Sequence, residues 1–95
     1  MKIGIIAFSG RNNMPYLKYY EDIIKNKKVN YECVFWDRFT NGKTEKINNE
    51  YTLHIKCLPG GNKTGKIIPM LKYKYIVEKI IKKEQCTHLI ILTTL

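Results

Sequence analysis

Apolar residues in this chain fall into four short clusters and two longer periodic stretches. Ile3, Ile5, Ile6, Ala7 and Phe8 form a nearly continuous apolar run, the pattern of a strand covered on both faces. Ser9, Gly10, Arg11, Asn12 and Asn13 follow as turn-forming and hydrogen-bonding residues. Pro15 suits the first turn of a helix, where its missing N–H costs nothing. Tyr16, Leu17, Tyr20, Ile23, Ile24 and Lys27 recur at spacings of three and four, which predicts a helix over 15–27. Lys25, Lys27 and Lys28 in its last turn complement the helix dipole. The aromatic and β-branched run at 31–36 (YECVFW) predicts a second strand, with Asp37 and Arg38 at its end.

Residues 39–49 are polar, with Asn41-Gly42 as a turn signal. Tyr51, Leu53, Ile55 and Cys57 alternate with Thr52, His54 and Lys56. That period of two predicts a third strand with one exposed face, placed at the sheet edge. The LPGGN string at 58–62 ends it. Ile68, Leu71, Tyr75, Ile76, Ile80 and Ile81 keep helical spacing over 66–84, with Pro69 tolerated in the first turn. The fourth strand, THLIILTT at 87–94, is apolar on both faces at its centre, so it is expected to be central and parallel. Right-handed crossovers then give an α/β, Rossmann-like, mostly parallel sheet of strand order near 3-2-1-4, in three α/β/α layers. Ninety-five residues make one small domain holding about three and a half βα units. A truncated part of a longer protein is the expectation.

Charge adds a partner class. Seventeen basic residues against eight acidic give a net charge of +9, which favours anionic partners. Fifteen of the seventeen are Lys, spread along the chain, whereas a base-reading surface favours the planar fork of Arg. No specific nucleic-acid contact is therefore expected. The Lys rim of the helix at 66–84 suits peripheral contact with an anionic membrane while its apolar side packs inward. Cys33, Cys57 and Cys86 form no close pairs, and no apolar run approaches the roughly 20 residues of a membrane span. Both features predict a cytoplasmic protein.

The motifs exclude more chemistry than they assign. GGNKTGKI at 60–67 almost spells a phosphate-binding P-loop, but Ile67 stands where a magnesium-holding hydroxyl belongs. Gly4 and Gly10 do not fit a dinucleotide fingerprint. His54 with Cys57, and Cys86 with His88, complete no zinc set. Cys33 and Cys57 read as core residues, and His54 as solvent-facing on an edge strand. Ser9-Gly10 lacks the hydrolase nucleophile elbow. No catalytic residue, metal or cofactor is assigned. The first loop stays open as a ligand site: Gly10 permits close backbone approach, and the following helix offers N–H groups to a phosphate or sugar hydroxyl.

The opening KIGIIAFSG, the strand end VFWDR and the run LPGGNKTGKIIPMLKYKYIVEKIIKKEQCTHLIILTTL resemble the start of a bacterial GT-B glycosyltransferase of the family 4 (group 1) type. The resemblance spans nearly the whole chain. It implies two Rossmann-like domains facing a cleft, with residues 1–95 as the N-terminal, acceptor-side domain. The family's paired glutamates and nucleotide-sugar site would lie in a C-terminal half, so this chain alone is expected to be inactive. Carried over by position, Ser9, Gly10, Arg11, Asn12 and Asn13 would bind substrate along the cleft, with Asp37, Arg38, Thr93 and Thr94 at adjacent strand ends. The implied function is polysaccharide biosynthesis, with sugar passing from a nucleotide sugar to a glycan or lipid-linked acceptor at the inner membrane face. The other class in view is a small nonenzymatic α/β module, flavodoxin-like and regulatory or nucleic-acid-binding. An uncovered sheet edge in such a fragment also predicts a dimer.

Overall fold

The computed structural model describes residues 1–57 and 64–92. The predicted break at 58–62, the first half of the glycine-rich string at 60–67, and Thr93 and Thr94 lie outside them. The chain forms an α/β fold around a five-stranded, mostly parallel sheet. Strand β1 (Lys2–Ala7) leads through a 3-10 turn (Arg11–Asn13) into helix α1 (Leu17–Asn26) and strand β2 (Asn30–Asp37). A hairpin of β3 (Glu45–Ile47) and β4 (Glu50–His54) follows, then helix α2 (Thr64–Glu84) and strand β5 (His88–Leu92).

The strand order is β3-β4-β2-β1-β5, which differs from the expected 3-2-1-4. The additional strand is β3, antiparallel to β4; three residues, two of them charged, set up no readable period. Asn48, at φ 54 in the connecting turn, takes the left-handed conformation that Asn tolerates. The strand expected at the edge, β4, therefore lies inside the sheet, between β3 and β2. The strand expected at the centre, β5, is parallel to β1 but forms the opposite edge. Its apolar character on both faces does not place it inside: Leu89 is 47% and Ile91 59% exposed. Among the described residues no strand pairs with its outer side.

Alternation along the strands feeds two cores. Ile5, Ala7, Cys33 and Phe35 pack with Leu17 and Ile24 of α1, whereas Ile6, Val34, Trp36, Tyr51 and Leu53 pack with Tyr73, Val77 and Ile80 of α2. Trp36 stacks on Tyr73 at 4.4 Å between ring centroids, and Phe8 meets both rings edge-on. The Tyr73 hydroxyl donates to Ala7 O at 2.6 Å, and Trp36 Nε1–H donates to Ile55 O at 2.8 Å. The first bond fastens α2 to the end of β1, and the second ties β2 to the residue that follows β4. Gly4 lets the end of α2 and β5 approach: a Cβ there would meet Leu89 at 3.1 Å and Cys86 Sγ at 3.3 Å. Pro69 stands in the second turn of α2, not the first, because the helix begins at Thr64. At no point among the described residues is a helix long and apolar enough to cross a membrane.

Candidate functional site

The parallel strands β1, β2 and β4 end on the same side, where open α/β sheets hold their ligands. Because Tyr51 and Leu53 point into the α2-side core, Glu50, Thr52 and His54 occupy the other face of β4. The α1-side core contains no β4 residue, so this face stays open. It forms the floor of a cleft of about 460 Å³, bounded by Gly10, Arg11 and Asn12 of the first turn, by Asp37 at the end of β2 and by Phe39 beyond it.

Arg11 is held on three sides. Its guanidinium donates to Glu21 at 2.6 and 3.3 Å, pairs with Glu50, and lies 5.3 Å above the Phe35 ring. Tyr31 adds a hydroxyl bond to Glu21 at 2.8 Å. Burial pulls Glu21 toward its protonated form, but the bonds from Arg11 and Tyr31 outweigh it and leave the carboxyl below the ordinary range. Burial, and then Glu21, push the Tyr31 phenol up to about 12. Arg11 thus anchors the first turn to α1 and β4, its charge already matched by two carboxylates.

Asp37 and His54 form a second couple at the outer rim. Thr40 Oγ1 donates to Asp37 Oδ2 at 2.6 Å, His54 Nδ1 lies 2.6 Å from the same oxygen, and the Phe39 N–H donates to Oδ1 at 3.0 Å. These bonds, in that order, pull Asp37 down to about 2. A carboxylate only accepts, so Nδ1 carries the proton of the His54–Asp37 bond. Asp37 is the main cause of the raised His54 pKa, with Glu45 adding to it; His54 Nε2 lies 3.4 Å from Glu45 Oε1 without a hydrogen bond. The Gly42 N–H donates to His54 O and Lys56 N–H to Asn41 Oδ1, which closes the β2–β3 connection over the end of β4. Among the described residues no group of three or more His, Cys, Asp or Glu side chains is placed to hold a metal.

Of the residues expected at the site, Gly10, Arg11, Asn12 and Asp37 meet at this cleft. Ser9 is buried; its Oγ has no hydrogen-bond partner among the described residues, and its carbonyl accepts the Trp36 N–H at 3.5 Å. Asn13 belongs to the 3-10 turn. Arg38 turns toward the α2 side, where Nε–H donates to Cys57 O at 3.3 Å and the guanidinium covers Trp36 at 5.0 Å. Among the described residues nothing lies within 4 Å of a Cβ built on Gly10, so the space beside it is open. Phe39, Glu50, Thr52 and His54 are the residues that sequence reasoning missed. His54 is not solvent-facing on an edge strand; its side chain is 18% exposed under the β2–β3 connection. Cys33 and Cys57 are buried, and burial pushes the Cys33 thiol up to about 12.

The amino ends of the strands carry another charged cluster. Lys2 Nζ lies 2.9 Å from Glu84 and 3.2 Å from Glu32, while the Tyr51 hydroxyl donates to Glu84 at 2.9 Å. Lys2 and Tyr51 pull Glu84 down to about 2. Burial first, and the neighbouring Glu84 second, raise Glu32 despite Lys2. Comparison with known protein families, curated proteins and solved structures finds no match to this chain.

Proposed function

We propose that residues 1–95 are the N-terminal, acceptor-side domain of a cytoplasmic glycosyltransferase that passes a sugar from a nucleotide sugar to a glycan or lipid-linked acceptor. The observation that carries this reading is the polar cleft at the carboxyl ends of β1, β2 and β4, beside the first βα turn. The KIGIIAFSG, VFWDR and LPGGNKTGKI strings supply the resemblance on which the class of reaction rests. In this reading the two helices cover opposite faces of a three-layer Rossmann-like unit, and a second domain provides the donor site. The edge position of β5 adds a requirement, since the sheet must continue past it in the whole enzyme. Leu89 and Ile91, exposed on that strand, are the side chains such a continuation would cover. The Lys-rich outer side of α2 would rest on the anionic inner membrane face.

Sugar transfer measures this directly. A full reading frame containing residues 1–95, given labelled nucleotide sugars and lipid-linked or free glycan acceptors, should form a glycosidic product. The 95-residue chain alone should form none. A full frame that lacks a second α/β domain, or that hydrolyses and transfers nothing across a donor panel, overturns the proposal.

A further inference from the structure

We infer that Asn41-Gly42 is a latched self-modification site, in which the end of β4 holds back a succinimide reaction that rewrites the β2–β3 connection. The inference lies outside the sugar-transfer reading and stands without it. Of the chain's asparagines only Asn41 precedes a glycine, and a residue without a side chain leaves its backbone nitrogen least hindered. Both residues are exposed. The two reacting groups are held differently. Asn41 Oδ1 accepts the Lys56 N–H at 2.9 Å, a bond that polarises the side-chain carbonyl toward attack. The nucleophile is withheld, because the Gly42 N–H donates to His54 O at 3.1 Å. His54 is itself fixed by its Nδ1–H bond to Asp37 Oδ2, and Asp37 also accepts from Thr40 Oγ1 and the Phe39 N–H. Releasing Gly42 from His54 O is therefore the step that frees the reaction.

Once freed, the Gly42 nitrogen attacks Asn41 Cγ. A new C–N bond forms, the Cγ–NH2 bond breaks, and the Gly42 amide proton leaves with the side-chain nitrogen as ammonia. Water, the co-reactant, then opens the cyclic imide. Its hydroxyl adds to one of the two carbonyl carbons as that carbon's bond to nitrogen breaks, and its proton goes to the nitrogen. The product is aspartate or isoaspartate at 41, and no atom changes oxidation state. Either product puts a carboxylate where a neutral amide stood. Isoaspartate also lengthens the main chain by one carbon, so the spacing that sets the Gly42–His54 and Lys56–Asn41 bonds is lost. The connection that closes over His54 is then released.

Peptide mapping by mass spectrometry, at physiological temperature and neutral pH, follows the conversion in the folded chain and in guanidinium chloride. In guanidinium, Asn41 should convert faster than any other asparagine. In the folded chain it should convert at least about tenfold more slowly, because opening of the Gly42 amide gates it. His54→Gln should speed conversion of the folded chain about fivefold and raise Gly42 amide exchange by the same factor, with no change in guanidinium. Thr40→Val, which removes one bond to Asp37, should act in the same direction. Gly42→Ala, whose Cβ would meet His54 Cβ at 3.7 Å in ordinary contact, should fold and should suppress conversion in guanidinium. The isoaspartate product should lose protection of the Gly42 amide, whereas Asn41→Asp should keep it. The inference fails if the folded chain converts as fast as the denatured one, or if another asparagine leads in guanidinium. It fails equally if His54→Gln and Thr40→Val leave the folded rate unchanged, if Gly42→Ala converts as readily as the parent, or if isoaspartate leaves Gly42 protected.

Discussion

At the carboxyl end of the sheet, Asp37 is drawn down to about 2 by Thr40, His54 and Phe39; at the amino end, Glu84 is drawn down to about 2 by Lys2 and Tyr51. The two carboxylates are equally acidic for different reasons and with different neighbours. Glu32 and Glu84 are 10% and 11% exposed and share Lys2, and Lys46 approaches Glu84 at 3.6 Å, so the cluster is capped by cations. At the other end, Glu50 and Glu45 are 36% and 62% exposed, and Glu50 faces a cavity. Similar charges therefore do different work: one end seals the bottom of the sheet, and the other leaves acceptor groups facing open space. Substitutions at the two ends should separate stability from ligand binding.

The largest expected effect is at Arg11. Breaking a buried ion pair costs about 3–5 kcal/mol, and the partial exposure of Arg11, 40%, reduces this to about 2 kcal/mol. Arg11→Ala leaves Glu21, 6% exposed, with Tyr31 as its remaining hydrogen-bond donor. Urea unfolding should show that loss, and Arg11→Ala with Glu21→Gln should recover much of it. A double variant no better than the single one would mean that Arg11 acts through Glu50 instead.

Next is Glu84→Gln, which weakens the bonds from Lys2 and Tyr51 and should cost about 1–2 kcal/mol at neutral pH. The lowered pKa fixes the pH dependence. Its contribution is present above the ordinary carboxylate value of 4.5 and is lost as pH falls through about 2. The gap between parent and Glu84→Gln should therefore narrow from pH 4.5 to pH 2. A gap that stays constant over that interval would assign the loss to packing, not charge.

What the sequence made legible follows the same division. Apolar runs and periods exposed β1, β2, β4, β5 and both helices, because each buries a face large enough to leave a pattern. Strand β3 was illegible: Glu45 and Lys46 lie on the rim, and its pairing depends on a two-residue turn at Asn48. The position of β5 was misjudged because apolar side chains on both faces say that a strand can be covered, not that it is. Gly10, Arg11, Asn12 and Asp37 could be placed at the cleft, since strand ends and turns locate them. The role of His54 could not, because its partners Asp37 and Glu45 come from two other strands. Arg38 lies across the sheet from the cleft for a related reason: adjacent residues at a strand end point to opposite faces, and Asp37 takes the cleft side.

A smaller effect is expected at His54. Its raised pKa gives stability that is full below 6.5 and lost as pH rises through the folded value; the lowered Asp37 gives stability present above 3.8 and lost as pH falls through about 2. Both groups are charged between roughly pH 4 and 6.5, where the β2–β3 connection should be held most firmly. Exchange of the Gly42 amide, which donates to His54 O, should be slowest in that window and faster at higher pH once corrected for base catalysis. His54→Gln should cost about 1 kcal/mol and abolish this dependence. A pH response that persists in the variant would move the switch to another group.

The smallest effect, and the sharpest contrast, should come from Glu32→Gln. Glu32 shares Lys2 with Glu84, yet burial and the neighbouring carboxylate raise its pKa while that of Glu84 falls. A raised carboxylate value has the opposite sign: the folded state favours the protonated form, so ionisation weakens folding as pH rises through the shifted value. The Glu32 Oε2 atom is buried without a hydrogen-bond partner among the described residues, and Lys2 keeps Glu84 when Glu32 loses its charge. Glu32→Gln should therefore lie within about 0.5 kcal/mol of the parent at pH 4 and be equal or more stable at pH 7. Because Glu84→Gln destabilises at pH 7, the two carboxylates that share Lys2 should respond in opposite directions. If both variants lose stability alike, Lys2 balances the pair evenly, and the amino end is held by its total charge instead of by Glu84.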